Sequence, residues 1–313
     1  MKVSVKVPAT TANIGPGFDT LGMALPLYNT VTIEETVLPG TGVQINVIAD
    51  GISIDEFALE HIPLDENSIV YKAVELLYNS IGQTPAELKI TIKSGIPVAR
   101  GLGSSASVIV GALIAANELL GRPADDLALL SIACELEGHP DNITPAFVGG
   151  LVISSQEEDG SVVYRKLNWP NDWAITVCVP DFELSTDIAR SVLPKEVPMK
   201  DAVFNAQRLA MFIEAVHTKD SELLKLALKD RLHQPYRMKL IQGLDEIMDT
   251  FKHNDNVYGC VISGAGSSIL VISNKNNLEN IQNEVRDIWT SLNIKCDIKT
   301  LNVEQNGAQI VED

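Results

Sequence analysis

A glycine-rich turn between a strand pattern and an apolar helix pattern constrains this chain more than any other stretch. Residues 88–93 (Leu-Lys-Ile-Thr-Ile-Lys) alternate apolar and polar side chains, the period of a half-buried strand. Residues 107–120 are rich in Ala, Val, Ile and Leu and stop at Gly121, a favourable helix C-terminus. Between them runs Pro-Val-Ala-Arg-Gly-Leu-Gly-Ser-Ser-Ala-Ser, residues 97–107. Gly101 and Gly103 let the backbone approach a ligand closely, and the first N–H groups of a helix have no partner within it. Those donors and the helix dipole favour an anion, so phosphate is the natural guest. Ser104, Ser105 and Ser107 add hydroxyls able to cap the helix, bind phosphate oxygens or reach a magnesium ion. No Gly-Lys-Ser/Thr follows, so this is not a Walker A loop, and the second half of a dinucleotide fingerprint is missing.

Charge narrows the partners. With 41 acidic against 24 basic residues, the net charge of −17 argues against nucleic acids and anionic membranes, which need basic patches. It leaves room for an anionic substrate, because a few arginines and a helix N-terminus make a local positive pocket. The 313 residues, 45% of them hydrophobic, suffice for one large or two medium domains with a real core. Four scattered cysteines show no metal or CxxC spacing and read as reduced, mostly buried thiols. Residues 1–7 alternate as a strand and lack the features of a signal peptide, and no stretch reaches the roughly 18 apolar residues of a membrane span. A cytoplasmic protein is expected.

Two polar clusters interrupt the regular patterns. Residues 8–20 hold Asn13, Asp19 and three threonines, and read either as a turn-rich connector or as a substrate loop. Strands are predicted at 28–35 and 43–49, an acidic loop at 51–67, and a helix at 68–80 from its apolar spacing. Pro123 should open the next helix, with Asp125 and Asp126 in its first turn, running to about Glu137. Glu135 and Glu137 then oppose the dipole at its end; they are either solvated acids or the ligands of a cation. His139, Asp141 and Asn142 follow on a proline-bearing turn. A hairpin is predicted at 151–155 and 161–167, and a boundary near residues 169–171 divides the chain into domains 1–168 and 169–313. Beyond it come strands at 173–179, 257–263, 269–273 and 294–301, and helices at 202–216, 223–228, 240–252 and 278–292. Thr186 and Arg190 lie four apart at a helix start, hence on one face.

Three segments in order, Pro-Ala-Thr-Thr-Ala-Asn-Ile-Gly-Pro-Gly-Phe-Asp at 8–19, Gly-Leu-Gly-Ser-Ser-Ala at 101–106 and Ser-Gly-Ala-Gly-Ser at 263–267, resemble the motifs of the GHMP small-molecule kinases. Glu-Gly-His-Pro-Asp-Asn at 137–142, Pro-Ala-Phe-Val-Gly-Gly at 145–150, the Thr186/Arg190 pair and Gln-Pro-Tyr-Arg at 234–237 resemble the homoserine kinase branch. The similarity runs from Met1 to about Leu301. One departure is visible: Ser267-Ser268 stand where the third motif usually has Pro-Thr, which loses proline's rigidity.

The resemblance implies an α+β, two-domain GHMP kinase fold, with an N-terminal α/β domain carrying the phosphate loop and a C-terminal ferredoxin-like domain. It places ATP on Pro97, Val98, Ala99, Arg100, Gly101, Leu102, Gly103, Ser104, Ser105, Ala106 and Ser107. It gives Mg²⁺ to Ser105 and a glutamate at the end of the 123–137 helix, Glu135 in preference to Glu137. It gives a small amino-acid substrate, L-homoserine, to Asn13, Asp19, His139, Asp141, Asn142, Thr186, Arg190 and Arg237. The two arginines suit a carboxylate, and Asp19 with Asn13 suits the ammonium group. Phosphoryl transfer from ATP to the substrate hydroxyl is the implied reaction, with Asp141, Arg190 and Ser105 as catalytic residues. Asp141 is either the general base or only an orienting group. A homodimer is implied as well. Transfer to another alcohol, such as mevalonate or a sugar, and a binding protein without catalysis are the alternatives.

Overall fold

The computed structural model describes residues 1–36, 42–50, 63–85 and 87–312; most of the acidic loop expected at 51–67 lies outside them. Two antiparallel strands, β1 (Lys2–Asn13) and β2 (Gly17–Glu35), form the spine of the first sheet, paired from Lys2 opposite Glu34 to Asn13 opposite Gly17 with register shifts after Pro8 and after Ala12. β4 (Leu88–Ser94) pairs antiparallel with β2, and β3 (Val43–Ala49) lies parallel to β4 at the edge. The other end of β2 pairs with β5 (Leu151–Gln156), which forms the expected hairpin with β6 (Val162–Leu167).

Among the described residues four helices cover this sheet: α1 (Ile69–Ser80), α2 (Ser104–Leu119), α3 (Asp126–Glu137) and α4 (Pro140–Val148). The middle one, α2, is apolar around most of its circumference, the signature of a helix enclosed by protein. Gly111 lets its backbone lie close to the sheet: a Cβ there would sit 2.7 Å from Val31 Cγ2 of β2 and 3.2 Å from Val7 Cγ2 of β1.

The second sheet holds β7 (Trp173–Pro180), β8 (Val257–Ile262), β9 (Ile269–Asn274) and β10 (Cys296–Leu301), in spatial order β10-β7-β9-β8 with every neighbouring pair antiparallel. Helical segments between β7 and β8 and a helix at Leu278–Ser291 between β9 and β10 complete the split βαβ arrangement of a ferredoxin-like domain. Buried Phe251, Val285 and Trp289 belong to the core behind this sheet. A separate cluster joins the two sheets: Leu21, Met23 and Leu25 of β2 pack with Trp173, Ile175, Phe212 and Leu270.

Several local expectations need correction. The polar segment 8–20 is not a loop; only Ile14–Pro16 separate β1 from β2. Val7–Asn13 are buried on both faces, so the two-residue alternation that marks a strand is lost there. Pro123 does not start α3; Asp125 caps it by accepting from the Ala128 amide at 2.9 Å. His139 to Asn142 do not form a free turn but open α4, with Pro140 at a first-turn position where its missing N–H costs nothing. The strands of the first sheet run to Leu167 and those of the second start at Trp173, but β11 (Gln309–Val311) returns to pair antiparallel with β1. The division at 168/169 therefore does not describe residues 309–311.

The shared cluster makes the two sheets unfold together. Phe212→Ala should cost about 3–5 kcal/mol through the cavity it leaves. All three tryptophans (Trp169, Trp173, Trp289) lie after residue 168, so their fluorescence follows the second sheet while far-UV circular dichroism follows the whole chain. The two denaturation midpoints should fall together in this variant; separated midpoints would show that the halves are independent.

Candidate active site

The glycine loop owes its shape to contacts on three sides. Gly101 (φ 71°) and Gly103 (φ 66°) are left-handed, a region costly for other residues. A Cβ on Gly101 would sit 2.1 Å from the Ser263 carbonyl oxygen, and one on Gly103 1.9 Å from Thr10 Oγ1. The Thr10 amide donates to the Leu102 carbonyl at 3.1 Å, and Ser263 Oγ donates to the Gly101 carbonyl at 2.7 Å. On the third side, Leu184 N donates to Ala99 O at 3.0 Å and Ser268 N to Arg100 O at 3.1 Å. α2 then starts at Ser104 with no side-chain cap at Gly103, so its leading amides open into a cleft of about 580 Å³.

Pro97 through Ser105 all line this cleft, whereas Ala106 and Ser107 do not. Ser107 is fully buried: its Oγ donates to Ser104 O at 2.7 Å and accepts from Asn29 Nδ2 at 2.8 Å. Arg100 turns its guanidinium away from an anion site. It donates to the carbonyls of Pro180 (3.1 Å), Val98 (3.2 Å) and Asp181 (3.0 Å), and meets Glu183 at 3.3 Å. Its task is to fasten the loop to the end of β7. Sequence reading missed Asn29, whose Oδ1 accepts from the Gly95 and Ile96 amides at 3.0 and 3.1 Å and fixes the entry to the loop. A polar residue within a strand carries no such signal by itself.

Facing the helix start are the residues expected to hold the amino acid: Asn13, Asp19, His139, Asp141, Asn142, Thr186, Arg190 and Arg237 all line the same cleft. Asn13 Nδ2 donates to Gly264 O at 2.9 Å, and its Oδ1 accepts from the Asp19 amide at 3.0 Å. Arg237 is buried and donates to Gly264 O at 3.0 Å and to Ala189 O at 3.1 Å. Arg190, at the end of a short helix (Thr186–Ser191), grips Asp19 with both terminal nitrogens, at 2.8 and 3.3 Å. The sequence assigned these two charges to opposite ends of a zwitterion; the fold pairs them directly. The Gly264–Ala265 turn, Ser68 at the cap of α1 and Lys72 within its first turn also line the cleft and were not singled out as binding residues.

The acid cluster lies at the junction of α3 and α4. Asp141 is buried; its Oδ1 meets His139 Nδ1 at 2.7 Å and accepts from Asn142 Nδ2 at 3.2 Å. Thr10 Oγ1 in turn donates to Asn142 Oδ1 at 2.7 Å, tying this corner to β1. Beside Ser105 stands Glu137 rather than the preferred Glu135. Glu135 is exposed on α3, whereas Ser105 Oγ donates to Glu137 Oε2 at 2.8 Å. Two residues along a helix turn the side chain by about 200°, so both cannot face the cleft. Burial pushes the Glu137 carboxyl above its ordinary value, against the opposing pull of His139 and the Ser105 hydrogen bond. Burial also works to lower His139, but its hydrogen bond to Asp141 and the charges of Asp141, Glu137 and Asp19 hold it above 6.5. Arg237 is lowered to about 10, by burial first and then by Arg190.

A magnesium ion fits these donors. A hydroxyl and a carboxylate stand beside uncapped amides, and the raised Glu137 carboxyl is one that a cation would relieve.

An anion-ready helix start facing carboxylates and arginines across a two-domain cleft is the arrangement of a small-molecule phosphotransferase. The family model described as GHMP kinases N terminal domain matches residues 68–150, and the one described as GHMP kinases C terminal matches 212–290. The homoserine kinase of Crocosphaera subtropica is 39% identical over 308 residues, 98% of this chain and 97% of that protein. That of Caldicellulosiruptor saccharolyticus is 41% identical over 310 residues, covering 98% and 96%. The crystal structure of homoserine kinase from Cytophaga hutchinsonii superposes with a TM-score of 0.86 at 28% identity, over 99% of this chain and 97% of that one. The chain belongs to the homoserine kinases of the GHMP family.

The His139–Asp141 contact has a measurable pH signature. His139 is raised in the fold, so its protonated form stabilises the protein below pH 6.5, and that contribution is lost as pH rises through the folded value. Asp141→Asn removes the hydrogen bond and the nearest supporting charge, leaving burial opposed only by Glu137 and Asp19. An NMR titration of the imidazole should read lower in the variant than in the parent. Equal values would show that Asp141 does not hold the proton.

Proposed function

We propose that the chain transfers the γ-phosphoryl group of ATP to the side-chain hydroxyl of L-homoserine, giving O-phospho-L-homoserine and ADP. One observation carries this: a single cleft unites the open start of α2 with Arg190 and Arg237 and with the acids Asp19 and Asp141. The amides of 101–105 and the dipole of α2 receive the nucleotide phosphates. Ser105 and Glu137 hold Mg²⁺, which when bound neutralises charge on the transferring phosphoryl group. Arg190 and Arg237 take the substrate carboxylate. Asp19, His139 and Asp141 each bring a ligand atom within 4.8 Å of the others, and the negative charge gathered there, with the Asn13 amide beside it, suits an ammonium. Asp141 accepts its hydrogen bonds on Oδ1, so Oδ2 remains to orient the hydroxyl and take its proton. Reaction depends on positioning and fixed charge, as phosphoryl transfers generally do. The family resemblance brings with it a homodimer and a cytoplasmic location; four free cysteines fit the reducing compartment.

Purified protein with Mg-ATP and L-homoserine should release ADP. Asp141→Asn should lower kcat by about 10²–10⁴. Arg190→Ala should raise the homoserine KM by about 10–100-fold, the loss of a charge-assisted grip. Mevalonate or a sugar outcompeting homoserine would overturn the substrate assignment.

The metal assignment has its own check. Glu137→Gln should raise the Mg²⁺ concentration needed for half-maximal rate about tenfold or more, while Glu135→Gln should leave it unchanged. The reverse pattern would return the role to Glu135.

A further inference from the structure

Phe18 stands where the charged groups of the substrate end converge. It lies on β2 immediately before Asp19. Its ring stacks on His233, with centroids 5.2 Å apart and planes at 19°. Two guanidiniums lie over the same ring, Arg237 Cζ at 5.2 Å and Arg190 Cζ at 5.6 Å from its centroid.

His233 makes a firm backing. It is fully buried, its amide donates to Asp230 Oδ2 at 2.9 Å, and its Nε2 donates to the Gly15 carbonyl at 2.8 Å. Its Nδ1 has no hydrogen-bond partner, and burial holds its basicity below the ordinary value, so the ring stacks as a neutral imidazole. The bond to Gly15 also anchors the β1–β2 turn, so Phe18 is held from both sides.

The arginines create the problem that this ring solves. Arg190 is balanced by Asp19, but the polar contacts of Arg237 go to two carbonyls, and no ion pair reaches it among the described residues. Arg237 is lowered to about 10 by burial first, and the neighbouring positive charge of Arg190 adds to that. An aromatic face attracts cations without neutralising them. A carboxylate in place of the ring would also hold both arginines, but it would compete with the substrate.

We propose that Phe18 is a positioning residue for the substrate carboxylate: its ring holds Arg190 and Arg237 side by side as a preformed, still positive pair. This rests on the reading that those arginines receive a carboxylate. It assigns Phe18 a role in affinity for one end of the substrate, and none in nucleotide binding or in phosphoryl transfer.

The test compares Phe18→Leu, which keeps apolar volume and loses the π face, with Phe18→Tyr, which keeps the face. Homoserine and 3-aminopropan-1-ol, the same amino alcohol without its carboxylate, are the two substrates. Phe18→Leu should raise the homoserine KM about 5–30-fold. Its kcat, its KM for ATP and its kcat/KM for 3-aminopropan-1-ol should stay within about twofold of the parent. Phe18→Tyr should behave as the parent. If Phe18→Leu does not fold, as judged by its thermal midpoint, Phe18→Met replaces it. An unchanged homoserine KM in an active protein overturns the inference alone. So does an equal loss with both substrates, or a Phe18→Tyr variant as weak as Phe18→Leu. A parent protein that neither binds nor phosphorylates homoserine overturns the function and the inference together.

Discussion

The backbone of the glycine loop reaches hydrogen-bonding distance of three other chain segments at once, around Thr10, Leu184 and residues 263–268, and the site exists because of that approach. β1 touches it through Thr10, the 263–268 turn through Ser263, and neither contact leaves room for a Cβ at Gly103 or Gly101. The leading amides of α2 are therefore aimed by packing from both domains. Arg100 reinforces the join from behind, spending its guanidinium on the carbonyls of Pro180 and Asp181. A loop held this way presents its donors with little freedom left to lose when a phosphate arrives, which is what preorganised recognition requires.

Electrostatics then divides the cleft. A chain with a net charge of −17 would repel a nucleotide at long range, yet the cleft carries its own positive features: the start of α2, Arg190 and Arg237. Opposite them sit Glu137 and Asp141, drawn to the same corner because α3 ends and α4 begins there. Acids at the C-terminal end of α3 are unfavourable locally, and Glu137 is further penalised by burial. A site that accepts an unfavourable carboxylate is one whose ligand supplies the compensating charge. The Asp19–Arg190 pair fits the proposed function in the same sense: each satisfies the other, and the proposed zwitterion would offer both of them a new partner.

Much of this arrangement could be read before any coordinates. The strand, glycine turn and helix at 88–120 were legible because each obeys a local rule, and so were the hairpin at 151–167 and the strands of the second sheet. The eight amino-acid-site residues were named through motif resemblance, and all eight line the cleft. Errors fell where tertiary burial erased a local pattern. Residues 8–13 are buried on both faces and looked like a loop, and β11 is three residues long and gains its identity only by pairing with β1. Asn29 and Phe18 escaped notice as site residues for a related reason. One is an amide and the other an aromatic within a strand, and their roles come from what the fold lays against them.

The amino-acid sequence alone determined the phosphate-binding turn, the two-domain α+β class and the chemical inventory of a cleft for an anionic nucleotide and a zwitterion. The turn and the inventory rest on backbone preferences and residue types, which belong to short stretches of chain. The two-domain class came from the resemblance of the motifs to a known family, and the strand and helix pattern by itself only allowed it. Only the tertiary structure decided that Glu137 rather than Glu135 meets Ser105, that Asp19 and Arg190 pair, and that one ring carries two arginines. The reason is geometric. Side-chain direction and the meeting of residues more than a hundred positions apart are set by how helices and sheets pack, and no local pattern encodes that.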